Sequence, residues 1–442
     1  MVSVELQAPG TIERGLVRRV AEMLSFKVAA LPLAFLTTIV TSRFLRPDGR
    51  GAYVLGLLTV TIVATLVGNA TAVTHDVGRR PDQVRTVLGR ALVLSAGLGL
   101  LGIAVLLPLD ILLSPSGFGA AALFPLGLPL LLLATSLAGA LPALGRLRLL
   151  NVVQFVPPLA LLVSTLVGVW LLHAGVKGAV GAWLCTQAIA AAVVLVGGRD
   201  LWLPWSSAGV NRRELPPFFL LGVRAGIVNL VALVNYRIEL MLLEAFRSLH
   251  AVGVYSVAVS LAELLWLVSG TLSMVTVAPA LQTDSDRTSA EIVARTLRHT
   301  LILTATGALA VGAVSIPMIP VVFGRPFHGS IGPLLLLLPG AVAYAPASVL
   351  STYFSMRLGK LRFPLIVAGL SAATTAVACL ALIPPFGALG AAGASTIGYT
   401  TGSVVLCLFF LRASGLAASA LIPGRADLSA YRDVTVFLRK RG

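Results

Sequence analysis

Charge is scarce in this chain. Only 11% of its 442 residues are Asp, Glu, Lys or Arg, against about a quarter in ordinary soluble domains. So low a fraction excludes a water-solvated globular surface. Cysteine is scarce too: Cys185, Cys379 and Cys407 all fall inside apolar stretches, with no CxxC pair and no Cys/His ligand cluster. That removes a disulfide framework and a structural zinc site, and no cofactor is expected. No Ala-x-Ala cleavage site follows the first apolar run, which therefore reads as an uncleaved anchor rather than a signal peptide. Long polar segments are also missing. The longest internal loops, 198–216 and 282–297, leave no room for a soluble catalytic domain, so an enzyme is not expected. Whatever the protein does must happen among its apolar helices.

Those apolar stretches dominate what is there, at 57% hydrophobic residues. A helix crosses a hydrocarbon core of roughly 30 Å with about 20 apolar residues. Twelve stretches qualify, near 24–44, 51–75, 87–108, 119–142, 150–172, 177–197, 217–242, 251–281, 298–322, 331–355, 362–384 and 388–411. Unbroken apolar runs suit helices, whose backbone bonds are internal, and not the alternating strands of a lipid-facing barrel. The expected fold is an all-α polytopic membrane protein.

The formal net charge of +16 would suit nucleic acid, but its distribution argues against that partner. With the N-terminus inside, 25 of the 33 Lys and Arg fall on cytoplasmic segments or helix ends. The outer segments hold Arg43, Arg46, Arg50, Lys177, Arg247 and Arg325. This is the positive-inside asymmetry, and it predicts a multi-pass protein of the cell membrane with both termini cytoplasmic.

The two halves repeat one another. RFLRPDGRGAYVLGL at 43–57 matches EAFRSLHAVGVYSVAVSL at 244–261, each placing Gly-x-Tyr at the start of the next helix (Gly51 and Tyr53, Gly253 and Tyr255). LGRLR at 144–148 matches LGKLR at 358–362. Gly175, Gly178 and Gly181 in GVKGAVGA recur as Gly387, Gly390 and Gly393 in GALGAAGA. The offsets are 202, 214 and 212 residues. Six helices per copy give both copies one orientation, as in transporters built from parallel repeats. The expected organisation is a leader at 1–23, an N-terminal six-helix bundle at 24–197, a cytoplasmic linker at 198–216, a C-terminal six-helix bundle at 217–411 and a basic tail at 412–442. The leader carries Ile12, Leu16, Val20 and Leu24 at helical spacing, which suits either a helix on the anionic inner leaflet or a plain solvated segment.

At this point the residues resemble a known family. RFLRPDGRGAYVLG is similar to the Arg-x-Leu-Gly-Pro-x-x-Tyr-Gly signature after helix 1 of bacterial polysaccharide (O-antigen-type) flippases. Asn235-Tyr236-Arg237-Ile238-Glu239, followed by Val252 to Ala258, resembles their helix 7–8 junction. These proteins form part of the multidrug/oligosaccharidyl-lipid/polysaccharide exporter superfamily. The resemblance implies two six-helix bundles around a central cavity. It also implies transport of a polyprenyl-diphosphate-linked oligosaccharide across the bilayer by alternating access, with glycosyltransferase or polymerase partners in the same pathway. The family's Asp near the end of helix 7 appears here as Glu239, which keeps the charge and changes its reach.

Moving a diphosphate and a polar glycan through hydrocarbon requires protein cations and a wet passage. Arg224, roughly 10 Å into helix 7 counting from Phe218, is the first candidate, facing either a lumen or the cytoplasmic interface. Glu263 lies about 12 residues into helix 8, near the midplane. There an isolated carboxylate is costly, so it reads as a proton or Na⁺ coupling site or as half of an ion pair. Trp266, one turn on, is placed to stack on a sugar or simply to pack. Arg43, Arg46 and Arg50 gather at the outer end of helix 1, as diphosphate receivers or as a solvated loop. Arg237 and Glu239 near the outer end of helix 7 suit a gating ion pair with the helix 1–2 loop. Asn235 fits interhelical hydrogen bonding. Two alternatives stand beside the flippase. One is a multidrug or organic-cation antiporter of the same superfamily, which predicts an acidic or aromatic cavity. The other is a membrane-embedded polysaccharide polymerase or ligase, which the missing soluble loops disfavour.

Overall fold

A computed structural model describes residues 9–113, 119–202, 212–283, 285–424 and 427, the side chains of 9–24 and of a few other helical positions excepted. Residues 1–8, residues 203–211 of the linker, residues 428–442 of the tail and the side chains of the leader stripe therefore lie outside what is described. Among the described residues there are helices and no strands. In chain order they are α1 (Pro9–Val67), α2 (Asn69–Arg79), α3 (Val84–Leu113), α4 (Leu128–Ala143), α5 (Leu147–Thr165), α6 (Gly175–Gly197) and α7 (Arg199–Trp202). Then come α8 (Leu215–Phe246), α9 (Leu249–Ala262), α10 (Leu264–Gln282), α11 (Asp286–Met318), α12 (Ile331–Thr352), α13 (Arg362–Phe386) and α14 (Ala388–Ser414).

Eleven helical runs among the described residues are long and apolar enough to cross a bilayer. The first, Val28–Arg79, has 52 residues and would extend about 78 Å at 1.5 Å per residue, far beyond one hydrocarbon thickness. It holds two crossings. They part at Arg46, whose φ of 57° and ψ of 175° lie outside the helical region, immediately before Pro47. Proline's ring excludes the α conformation for the residue ahead of it, so the break falls there. Hydroxyls inside the spans mostly return to the carbonyl one turn back, as Thr41 does to Thr37 and Thr300 to Thr296. This satisfies them without water. The chain is a multi-pass α-helical membrane protein.

The two copies of the glycine signature do the same jobs. Gly175 and Gly387 open α6 and α14 at φ of 55° and 57°, a left-handed conformation that a Cβ resists. One turn later a Cβ on Gly178 would overlap the Gly168 carbonyl, and one on Gly390 the Leu382 carbonyl. In both units the signature therefore lets the last helix close against the end of the one before it. Gly181 faces open space, and a Cβ on Gly393 would make only ordinary contact. The paired loops agree as well: Gly145 and Gly359 turn at φ of 66° and 62°.

The chain divides into two compact units, Met1–Leu230 and Val231–Gly442. The boundary falls inside α8 rather than in the 198–216 linker expected from sequence. The cause is a seam of small residues. A Cβ on Gly226 would overlap the Leu66 carbonyl, and one on Gly222 would lie 2.7 Å from that of Val67, so the first half of α8 belongs to the N-terminal unit. In that unit α1 packs on α5 and α6, and α4 on α2, α3 and α6. In the C-terminal unit α14 packs on α12 and α13, and α11 on α10 and α12. The described part of the tail is fastened rather than loose. Arg298 donates to Asp427 Oδ2 at 2.8 Å and to the Ala420 carbonyl at 2.7 Å, and the Gly424 amide donates to the same carboxylate at 2.9 Å.

Two predictions follow from these contacts. Gly178→Ala and Gly390→Ala should each lower the Tm in detergent by about 2–6 °C, while Gly181→Ala should leave it nearly unchanged. The Arg298 bond, helped by the Gly424 amide, holds the Asp427 carboxyl below its ordinary range. A carboxyl lowered on folding stabilises above its unfolded pKa and loses that contribution as pH falls through the folded one. Protection of residues 416–424 in hydrogen exchange should thus stay constant from neutral pH to about 4 and fall below that. Asp427→Asn should abolish the step.

Candidate functional site

The C-terminal unit gathers its polar chemistry where α8, α9, α10, α12 and α14 meet. Asn235 and Glu239 stand four residues apart on α8, on one face of the helix. Both are buried, 3% and 1% exposed, and Asn235 Oδ1 and Glu239 Oε2 find no hydrogen-bond partner. Glu263 sits where the chain passes from α9 to α10; at φ −63° and ψ −21° it leaves a shallow break. There the Trp266 amide bonds back to the Glu263 carbonyl at 3.0 Å, three residues away instead of four. That turn sets the Glu263 carboxylate and the Trp266 ring side by side.

Arg237 of α8 pairs with Glu263, Nη1 to Oε1 at 2.6 Å, with side chains 30% and 28% exposed. The partner of Arg237 is Glu263, where a gating ion pair with the helix 1–2 loop was expected, and Glu239 does not share in the contact. The physical reason is the helical turn: residues two apart on α8 point about 200° apart, so Arg237 reaches across to α9–α10 while Glu239 turns inward. Glu263 is likewise not an isolated carboxylate. Its Oε1 is close to the guanidinium but makes no well-aligned hydrogen bond.

Beside this pair stands a cluster of four rings. Trp266 lies 5.1 Å from Tyr236, 5.2 Å from Tyr344 and 5.7 Å from Tyr399 between centroids. The tyrosines lie 5.8–6.3 Å from one another, and the Tyr236 and Tyr344 hydroxyls are 2.5 Å apart. Tilted and edge-on arrangements of this kind put positive ring edges against negative faces. Behind the rings lies a small cavity lined by Glu239, Glu263, Tyr255, Trp266 and Tyr399 among others. It offers about 10 Å³ to the centre of a guest, enough for one water or one small cation. Trp266 Nε1, at its wall, is buried without a hydrogen-bond partner. Tyr255 is fully buried, its hydroxyl 3.4 Å from Ser395 Oγ. Among the described residues no group of three or more His, Cys, Asp or Glu suits a metal ion.

The remaining candidates scatter. Arg43 and Arg46 are exposed, but Arg50 is 4% exposed and donates to Thr41 Oγ1 at 2.5 Å and to the Thr38 carbonyl at 3.4 Å. Three arginines expected to act together are thus two surface cations and one buried brace between the first two crossings. Arg224 is exposed on α8. It lies about 200° around the helix from Gly222 and Gly226, facing away from their seam with 65–68. Arg90, by contrast, is buried and paired with Glu214. Sequence reasoning missed four of the site's residues. Tyr255 stood inside the repeated Gly-x-Tyr motif, and Tyr236 beside Arg237, so both had a signal. Tyr344 and Tyr399 are single aromatics in apolar helices and had none.

Eleven apolar spans among the described residues, two units and an ionisable cluster buried in one of them define a polytopic α-helical membrane protein. The particular fold is shown by its similarity to solved structures. It is similar to a multidrug resistance MATE family transporter of the MOP superfamily in an inward-facing conformation. There the TM-score is 0.68, with 16% identity over 89% of this chain and 98% of that one. For the lipid II flippase MurJ in an inward closed conformation the TM-score is 0.71, with 12% identity over 88% and 89%. For a MOP superfamily transporter from Pyrococcus furiosus described by a binding pocket of reverse polarity it is 0.59, with 17% identity over 90% and 95%. No protein-family model matches, and no curated protein does. The chain therefore has the fold of MOP-superfamily transporters.

The pairing can be checked by a double-mutant cycle on detergent-solubilised protein. Arg237→Leu and Glu263→Leu should each destabilise, and the double variant should recover a coupling of about 1–3 kcal/mol. Additive losses would remove the pair from the site.

Proposed function

We propose that this protein is a transporter of the cell membrane, both termini cytoplasmic, that moves a polyprenyl-diphosphate-linked oligosaccharide from the inner to the outer leaflet by alternating access. One observation carries the anionic cargo: Arg224 lies within a membrane span, is exposed, and has no carboxylate partner among the described residues. An arginine near the centre of a spanning helix costs about 2.5–3.5 kcal/mol on insertion scales, a cost that a passing diphosphate offsets through bidentate hydrogen bonds. Arg43 and Arg46 are exposed cations for the headgroup at the outer face, and Arg237 and Trp266 contact it in the C-terminal unit. Glu239 and Glu263 take the coupling ion, H⁺ or Na⁺. The glycan is supplied and consumed by glycosyltransferases and polymerases of the same pathway. The lipid flippase and the drug transporters among the structural neighbours fit this class of activity equally.

That parity gives a second reading, an organic-cation antiporter, which the buried carboxylate of Glu239 beside four aromatic rings favours. Proteoliposomes separate the two. Transfer of a fluorescent polyprenyl-diphosphate sugar should be lost in Arg224→Ala and partly kept in Arg224→Lys, and Glu239→Gln should blunt its response to an imposed H⁺ or Na⁺ gradient. Full transfer by the alanine variant at equal protein level rejects the anionic cargo. Glu239-dependent efflux of a quaternary ammonium dye, without sugar-lipid transfer, establishes the antiporter instead.

A further inference from the structure

Glu263 is touched from two sides. On one side is the Arg237 guanidinium at 2.6 Å, on a pair of side chains about 30% and 28% exposed. On the other is the cavity that Glu263 shares with Glu239. The cavity's 10 Å³ admit a dehydrated alkali cation and exclude a guanidinium, so Arg237 cannot follow its partner inward. Glu239 is 1% exposed and its Oε2 is unpartnered, a buried acceptor with nothing yet to accept from. Two carboxylates and one guanidinium leave this cluster one positive charge short of neutrality, and a monovalent cation in the cavity balances it. Such a cation draws on the same Glu263 carboxylate that holds Arg237.

Resting on the transport reading above, we propose that Glu263 works as a two-sided carboxylate. An alkali cation entering beside Glu239 takes over Glu263 and releases Arg237 to bind the diphosphate of the cargo. Cation and anionic headgroup then bind with positive cooperativity, although neither touches the other. Linkage requires the effect to be reciprocal. Arg237 is the reporter: paired in the empty site, it becomes a diphosphate ligand when the cavity fills.

The test uses the purified full-length protein in detergent, with inorganic pyrophosphate as the anion probe, titrated calorimetrically at one fixed pH and ionic strength in sodium or in choline chloride. Wild type should bind pyrophosphate about 5- to 50-fold more tightly in sodium. Glu263→Gln, with Arg237 already released, should bind it tightly in both salts, and Arg237→Gln should lose the sodium effect. The reciprocal measurement needs no variant: radioactive sodium should bind wild type more tightly by the same factor when pyrophosphate is present. Equal pyrophosphate affinity in the two salts overturns the proposal, as does a sodium effect that survives Arg237→Gln. If either occurs while Arg224-dependent sugar-lipid transfer persists, only this coupling falls. If transfer itself is absent, the transport reading falls with it.

Discussion

Hydrocarbon does not solvate charge, and the rest of this structure depends on that constraint. A bilayer leaves each ionised side chain within it a short menu: a partner, a wet surface, or a substantial free-energy cost. Arg90 takes Glu214, Arg237 takes Glu263, and Arg50 takes the hydroxyl and carbonyl of α1. Arg224 and Glu239 stand apart from these, one exposed in a span and one buried without a partner for Oε2. An expensive group that is retained is the place to look for function, and these two have opposite signs.

The same constraint governs the backbone. Each departure from regular helix occurs where local chemistry forces it and where it positions something. The break at Arg46 is imposed by Pro47 and brings Arg50 back against Thr38 and Thr41. The shallow break at Glu263 turns its carboxylate toward both Arg237 and the cavity. Irregular backbone at membrane depth is tolerated where protein surrounds it, and the second of these breaks stands at the centre of the ionisable cluster.

Duplication supplied two similar frameworks, and divergence gave them different electrostatics. At the 202-residue offset of the first motif pair, Glu239 corresponds to Thr37 and Arg50 to Val252. The N-terminal unit thus buries a fixed cation between its first two crossings. The C-terminal unit has a valine at that place and buries a carboxylate where the N-terminal unit has Thr37. A resident guanidinium repels a mobile cation, whereas a carboxylate attracts one. The glycines, which serve backbone geometry alone, kept the same roles in both copies.

Much of this was legible in one dimension. Apolar run length determined the spans, because a helix crossing hydrocarbon has a fixed rise per residue. The glycine spacing disclosed the duplication, because positive φ and close backbone approach each demand glycine whatever surrounds it. Glu239, Glu263, Arg237 and Trp266 stood out as polar or amphipathic residues in apolar company. What sequence could not supply was who meets whom. That Arg237 turns to Glu263, that Arg50 leaves Arg43 and Arg46, and that Tyr344 and Tyr399 arrive from α12 and α14 to enclose Trp266 are consequences of helix rotation and packing. Those depend on contacts between different helices, with Trp266 and Tyr399 more than a hundred positions apart, and no local pattern encodes them.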